Sequence, residues 1–415
     1  MKDIFHYTAL LVGLLVFVVI FSLISTMLPD DTVRLHIRNS LPDVVSLPDY
    51  PEPMIRGRNH SLDYAMDGMI TNIIYNLNNQ TPIQSVLLCR WDFDESQPYQ
   101  SQWHNLAYTI EHIDQLPKVV YGRYWHGNSF LFRFLYWMMD YNEIKWMIYF
   151  LSSLLFLCTT IFLYKRLGFL TTLALHSGLL FLNQYVMQFS MQLAPALCIT
   201  LIGMMVVSHC RIENTNKLFT VFLILGALTA YFDLLTVPLL TFGMPFLVWI
   251  SLLIRENSFT YTRFLRDGLT GGLLWLLAYA FIWASKWVLV AWFTDFHIWK
   301  DVQHFLLMRS GATDQGRWDA VRVNFNQMPL VWINLAALLL LLRSLSRLSR
   351  QHIMAALGFI AIGLLPYIWF FVMANHSAVH FWFTYRIQAV SISALMLALI
   401  VLHKPREKIQ IKSKI

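Results

Sequence analysis

The chain has 415 residues, of which 57% are hydrophobic, 15% aromatic and only 13% charged. Soluble domains carry about 25% charged residues, so this composition excludes an ordinary soluble globular protein. The sequence contains no repeat, heptad or low-complexity tract, which excludes a solenoid or a coiled coil.

Apolar runs dominate the chain and predict membrane-spanning helices, each of which needs about 20 mainly apolar residues. The first run, 8–28, is too long for a signal-peptide core and ends without a cleavage site, so we predict a retained signal anchor. The fold class expected is an all-α membrane protein with about ten transmembrane helices, give or take about two, and a large α-rich extracytoplasmic loop after the first helix. The ten runs are 8–28, 145–164, 168–186, 190–209, 217–232, 235–254, 268–292, 330–342, 353–373 and 383–402.

Lysine and arginine in the short connections set the expected orientation, because such residues concentrate on the cytoplasmic side. They cluster around Lys165-Arg166, Arg255–Arg266, Arg343–Arg350 and the tail that begins near Lys404. Together with the residues before the first run and the 211–217 connection, these inner segments hold only five of the 24 acidic residues, and the remaining 19 lie in segments assigned to the outer side. We therefore predict a multi-pass protein of the cell membrane with both termini cytoplasmic. The net charge of +7 reflects anchoring beside anionic lipid and is no argument for nucleic acid.

This topology divides the chain into six parts. They are a signal-anchor helix at 1–28, an acidic extracytoplasmic loop with interfacial helices at 29–143, a transmembrane bundle at 144–293, a second extracytoplasmic loop at 294–329, transmembrane helices at 330–402 and a basic cytoplasmic tail at 403–415. The four cysteines form no CxxC pair, which disfavours a disulfide framework or a zinc site. No P-loop or dinucleotide fingerprint occurs, so no cofactor is expected.

Two aspartates four residues apart, Asp63 and Asp67, are the first catalytic candidates. The apolar residues of the surrounding 62–75 segment have helical spacing, so both carboxylates share one face near a helix start. A carboxylate there can take the proton of an acceptor hydroxyl, or it can simply cap the helix in solvent. Asp31, directly after the first span, is a third candidate, with a polar stop at the helix end as the alternative.

The stretch Tyr121–Gly127 places a guanidinium, Arg123, and an imidazole, His126, among three aromatic residues. Arginine pairs with phosphate oxygens, and aromatic rings stack on sugars or lie along lipid. An interfacial aromatic belt explains the rings but not Arg123 and His126 together. The amphipathic run at 130–139 that follows is expected to lie in the headgroup layer.

A second polar stretch, Asn375–Arg386, joins the last two predicted spans. His376 and His380 are one helical turn apart, and Tyr385 and Arg386 lie at the outer mouth of the final span. Two histidines at this spacing can bind metal, but no HExxH motif or third ligand accompanies them, so no metal site is predicted. We favour an anion site that uses Arg386 and one histidine.

Asp233 lies between two apolar runs, where a carboxylate is costly unless it faces a polar cavity or the outer surface. Gln192 belongs to a set of glutamines spaced four apart at another outer turn, and the same cavity can include it. The alternative for these residues is hydrogen bonding between helices.

At Leu62–Asn72, Tyr121–Gly127, Tyr231–Thr236 and His380–Arg386 the chain resembles an uncharacterised bacterial family of GT-C membrane glycosyltransferases connected with envelope polysaccharide synthesis. The resemblance implies a polyprenyl-phosphate-linked sugar donor, a glycan or glycolipid acceptor, and a site on the outer face, in contact with membrane lipids. It also implies an acidic base in the first outer loop. Asp67 matches best, with Asp63 or Asp31 as alternatives, although an Asp-Glu pair directly after the first span is replaced here by Asp30-Asp31.

In this interpretation Arg123 and Arg386 neutralise the phosphate, and His126, His376 and His380 orient the substrates. An apolar groove beside residues 130–139 is expected to hold the prenyl chain. Two other functions stay open: a flippase or transporter of lipid-linked sugars, and a non-catalytic component of a polysaccharide-assembly complex. Another transferase, such as an acyltransferase or phosphoethanolamine transferase, is expected to show a histidine motif or a metal cluster instead.

Overall fold

A computed structural model describes residues 2–49, 63–93, 101–112, 117–330, 333–334, 337–338 and 350–403. The chain is 79% helical with almost no sheet, which confirms the all-α expectation. Its described strands are the two-residue segments β1 (Trp91–Asp92) and β2 (Lys118–Val119), which pair antiparallel.

Six described helices are long and apolar enough to cross a membrane, as a multi-pass protein requires. They span Ile4–Thr26, Tyr141–Leu167, Thr215–Phe232, Tyr261–Phe293, Arg350–Val372 and Phe381–Leu402. Three shorter apolar helices, Phe169–Phe181, Ala194–Ser208 and Leu240–Arg255, accompany them. The predicted run 168–186 is divided at Asn183, whose φ of +58° is incompatible with a continuing helix. Most of the run 330–342, and the tail from residue 404, lie outside the described residues.

In chain order we number the helices α1 to α20. Their bounds are Lys2–Thr26, Asp30–Val44, Tyr64–Asn76, Pro82–Leu88, Gln102–Glu111, Gly127–Tyr136, Tyr141–Leu167, Phe169–Phe181, Gln184–Phe189, Ala194–Ser208, Thr215–Phe232, Leu240–Arg255, Tyr261–Phe293, Ile298–Ser310, Arg317–Asn326, Arg350–Gly363, Leu365–Val372, Ala374–Val379, Phe381–Thr384 and Ala389–His403. A 3₁₀ turn at Tyr385–Gln388 precedes the last helix.

Arg133 of α6 fastens the end of α1 to the helices that follow it. Its guanidinium donates to the carbonyls of Ser25, Ile74 and Leu28 and forms an ion pair with Asp30. The side chain is fully buried, because these acceptors surround it. Arg133 is therefore enclosed by protein rather than facing the headgroup layer, and α6 packs on α1, α2 and α3. That the rest of the 130–139 run lies in the headgroup layer stays a prediction.

Polar side chains also tie together the ends of the bundle opposite to α14. Arg166, at the end of α7, lies 3.7 Å from Glu256 at the end of α12. Arg263, at the start of α13, donates to the Ile212 carbonyl between α10 and α11. Three connections that are separate in sequence thus meet at one end of the helices.

Candidate functional site

The Tyr121–Gly127 stretch is held against α13 by indole hydrogen bonds. Trp283 and Trp287 both donate to the Arg123 carbonyl, at 2.7 and 3.0 Å, and Trp125 donates to the Ile282 carbonyl at 2.6 Å. Glycine is required at position 127, since a Cβ there would lie 2.5 Å from the Tyr231 ring. The stretch is thereby fixed between α13 and the end of α11.

Two guanidinium groups, Arg123 and Arg309, lie in a cleft with Tyr124 and Phe305. Arg123 lies 3.5 Å from the Phe305 ring centroid and 3.3 Å from the Asp301 carboxylate. Arg309 of α14 donates to the Tyr124 hydroxyl and lies 5.1 Å from the centroid of that ring. Within the described part of the chain no carboxylate pairs with Arg309, so the cleft carries an uncompensated positive charge.

His376, on α18, and His380, just after it, lie next to α14, since the Asn375 side chain donates to the Met308 carbonyl of α14 at 3.0 Å. The His376 Nε2 lies 2.9 Å from the Leu235 carbonyl oxygen; a carbonyl only accepts, so Nε2 carries the hydrogen and Nδ1 is an acceptor. Among the described residues, neither histidine has a hydrogen-bond partner at Nδ1. Burial and the nearby Arg309 charge hold the pKa of His376 well below its usual range and lower the pKa of His380 to about 4. Both imidazoles are therefore neutral at pH 7.

Asp63 joins this group through an indole. Its Oδ1 accepts from the Met66 amide at 3.1 Å, as the cap of α3, and its Oδ2 accepts from Trp382 Nε1 at 2.9 Å. The Trp382 ring in turn lies 5.2 Å from the His380 ring. Asp63 is 6% exposed, and burial raises its pKa to about 6. Asp63 thus caps the helix, as the alternative interpretation of the sequence expected, but the carboxylate is buried rather than exposed to solvent.

Asp67 lies apart from this group in a buried ion pair. Its Oδ2 accepts from Lys145 Nζ at 2.8 Å and from the Tyr141 hydroxyl at 2.9 Å, and its Oδ1 accepts from the Met191 amide at 3.1 Å. Asp67 is 0% exposed, so it has neither a free oxygen nor access to solvent. The third candidate, Asp31, is exposed in the first turn of α2.

The remaining predicted residues occupy separate buried positions. The Asp233 carboxylate accepts from the amides of Thr236 and Val237, and so closes its own turn. Gln192 is 1% exposed, and no described residue bonds its Oε1. The His126 Nε2 lies 3.0 Å from the Tyr121 carbonyl oxygen, and burial lowers the His126 pKa to about 3.

Arg386 is another buried cation without a described counter-ion. It is 2% exposed, its Nη1 donates to the Trp382 carbonyl at 2.8 Å, and its guanidinium lies 4.8 Å from the Tyr385 ring centroid. Its Nε and Nη2 have no hydrogen-bond partner among the described residues. A buried cation with two free donors is suited to an anion.

The structure thus brings together Asp63, Arg123, His376 and His380, which the sequence indicated, and adds Arg309, which it did not. Arg309 belongs to no short motif, and only its place in an outer segment was a signal. Lys145 was missed as well, because its partner Asp67 is 78 residues away in sequence. In the described residues no group of three or more His, Cys, Asp or Glu side chains is arranged to hold a metal ion.

Comparisons with protein-family models, with curated proteins and with solved structures find no match to this chain.

Proposed function

We propose that the chain is a membrane glycosyltransferase that moves a sugar from a polyprenyl-phosphate donor to an envelope glycan or lipid acceptor on the outer face of the membrane. One observation carries the proposal. Contacts link Asp63 through Trp382 to His380, and the charge of Arg309 acts on His380, so a carboxylate base and a guanidinium without a described counter-ion lie in one part of the molecule. The sequence resemblance supplies the reaction class, and this patch supplies the groups that the reaction needs.

The proposed topology has ten passes with both termini in the cytoplasm. Contacts between the connections that join the helices support this topology. The segments that it assigns to the inner side contact each other, as the Arg166–Glu256 and Arg263–Ile212 contacts illustrate. The segments that it assigns to the outer side also meet, since α14, Tyr121–Gly127, Leu235 and His376 form one cluster.

In the proposed reaction an acceptor hydroxyl attacks the anomeric carbon from the face opposite the phosphate, and the configuration inverts. Asp63 takes the hydroxyl proton as the new C–O bond forms. The anomeric carbon–phosphate oxygen bond breaks, and the polyprenyl phosphate leaves with the electron pair. Arg309 and Arg123 neutralise its charge, so the leaving group needs little acid help.

Asp63 suits the base role better than Asp67 does. A pKa of about 6 leaves Asp63 mostly ionised at pH 7 and still basic enough to accept a proton. Asp67 is ion-paired to Lys145 and is 0% exposed, so it reaches a substrate only if that pair is broken. The base therefore moves, in this proposal, from the residue that the sequence favoured to its neighbour one turn earlier.

The histidines and Arg386 are assigned to substrate binding. The neutral His376 offers an Nδ1 lone pair that can accept a hydrogen bond from a sugar hydroxyl, and the unpartnered Nδ1 of His380 can donate or accept one. Arg386 provides a second anion contact, because two of its nitrogens are unbonded. These roles need no resident metal or cofactor.

The experiment that tests the proposal measures sugar transfer by the purified full chain in phospholipid vesicles, with a panel of radiolabelled polyprenyl-phosphate hexoses and extracted envelope glycan as acceptor. Asp63→Asn removes the base and keeps one acceptor oxygen, which can serve either the Met66 amide or Trp382 but not both, and we expect a loss of at least about 10²-fold. Arg309→Gln removes the charge that faces the phosphate, and we expect a loss of about 10²- to 10³-fold.

Asp43→Asn is the matched control. It changes an exposed carboxylate of the same outer segment, whose described partner is Asn142, and transfer should be unchanged. Wild-type activity in Asp63→Asn would remove Asp63 as base. Movement of lipid-linked sugar between leaflets without transfer would favour the flippase, and binding without either would favour a scaffold.

A further inference from the structure

An apolar groove of about 230 Å³ lies between α1, α4 and the end of α13. Its walls include Leu23 of α1, Val86 of α4 and Leu289 of α13, and the remaining lining residues are apolar too. Two of these helices, α1 and α13, are candidate membrane spans. The groove therefore offers hydrocarbon chemistry at bilayer depth, and it lies on the α1 side of the chain rather than along residues 130–139, where the sequence placed the lipid groove.

A second, polar cavity of about 590 Å³ adjoins the groove, and Phe293 lines both. It extends past the end of α13 to Thr294 and Asp295, and α4 and its following turn contribute Gln84 and Arg90 on the other side. Arg90 and Asp295 are exposed, and no ion pair joins them among the described contacts. The cavity thus carries a free positive and a free negative group at the end of a candidate span.

We propose that the two cavities form a binding site for one glycerophospholipid with a zwitterionic phosphate–ammonium head. An acyl chain lies in the groove, the phosphate faces Arg90 and the ammonium faces Asp295. The sequence of lining residues along α13 supports this occupant. The lining is apolar along the helix and carries one positive and one negative side chain where the helix ends, which matches an acyl chain followed by a zwitterionic head. A free phosphate would leave the groove empty, and an anionic head would meet Asp295. Trp125 of the Tyr121–Gly127 stretch lines the groove, but Asp63, Arg123, Arg309, His376 and His380 do not, and the site does not depend on the proposed function.

Native mass spectrometry of the delipidated full chain tests this, with phosphatidylethanolamine and phosphatidylglycerol of equal chain length added in equal amounts. We expect one retained lipid per chain and a preference for phosphatidylethanolamine of up to about fivefold. Asp295→Asn should abolish the preference without affecting folding, because the residue is exposed in a connection. Leu289→Trp fills the groove and should lower retention by at least about tenfold.

Leu273→Trp is the control for added bulk, since Leu273 is on the same helix, 56% exposed and outside the groove. The proposal is overturned if Leu289→Trp retains as much lipid as Leu273→Trp, if wild type prefers phosphatidylglycerol, or if polyprenyl phosphate displaces the bound phospholipid. Sugar transfer is measured on the same preparations. A loss of transfer with lipid retention intact bears on the proposed function alone.

Discussion

The Asp67–Lys145 ion pair predicts a large stability effect for a single conservative substitution. Asp67→Asn removes the only described carboxylate beside Lys145, whose side chain is 8% exposed. Removing one partner of a buried pair strands the other charge, which costs about 3–5 kcal/mol. The bonds from Tyr141 and Met191 reach different oxygens of Asp67, so the single amide oxygen of asparagine can keep only one of them, and it cannot neutralise the ammonium.

The assay is equilibrium unfolding of the purified chain in mixed detergent micelles. We expect Asp67→Asn to lower the free energy of unfolding by about 3–5 kcal/mol. The double variant Asp67→Asn/Lys145→Met should recover most of that loss, because it also removes the stranded charge. Asp43→Asn, at an exposed site, should change the free energy of unfolding by less than about 0.5 kcal/mol.

Sugar transfer by the same variants separates a structural Asp67 from a catalytic one. If Asp67 only holds α3 against α7, the stable double variant should transfer sugar at close to the wild-type rate. A stable but inactive double variant would refute this reasoning and return the base role to Asp67. Wild-type stability in Asp67→Asn would also refute it, because the charge of Lys145 would then be satisfied elsewhere.

Three further predictions concern other residues. Because Asp63 accepts a proton only when ionised, kcat/KM should rise with pH through about 6 and then level off, and a flat profile between pH 5 and 8 would exclude it as base. Gly127→Ala puts a Cβ 2.5 Å from the Tyr231 ring, so the free energy of unfolding should fall by about 1–3 kcal/mol in the same micelle assay. Gly13→Ala is the control and should cause no such loss, because no atom lies within contact distance of the Cβ it adds. Arg133→Met strands the carbonyls at the end of α1 together with Asp30, and should cost about 3–5 kcal/mol, whereas a loss below about 1 kcal/mol would show that water replaces the guanidinium.

The helices could be predicted from the sequence because a span is a local property: composition over about 20 residues decides it. Interruptions were harder to predict. Asn183, in the left-handed region, divides an apolar run that has no proline or glycine at that point. The burial of Arg133 in α6 was also missed. An arginine in an amphipathic run is typical of a headgroup contact, but this guanidinium donates to backbone carbonyls of other helices.

The candidate site, too, could be predicted from the sequence only in part. Short segments with unusual polar composition, such as Tyr121–Gly127, mark where chemistry is held, because charge near a bilayer is costly and is kept for a purpose. Their assembly depends on contacts across long stretches of chain that no local pattern encodes. Trp382 reaches Asp63 across 319 residues and Lys145 reaches Asp67 across 78.

Asp63 and Asp67 show why this division matters for mechanism. They lie one helical turn apart, and local sequence makes them equivalent, since both are carboxylates near the start of α3. Tertiary contacts give one an indole donor and the other a lysine. Burial raises the pKa of Asp63, and its indole partner carries no charge, whereas Asp67 forms an ion pair with Lys145. In the proposed mechanism, the partner that each carboxylate has, rather than its spacing, therefore decides which one exchanges a proton with a substrate.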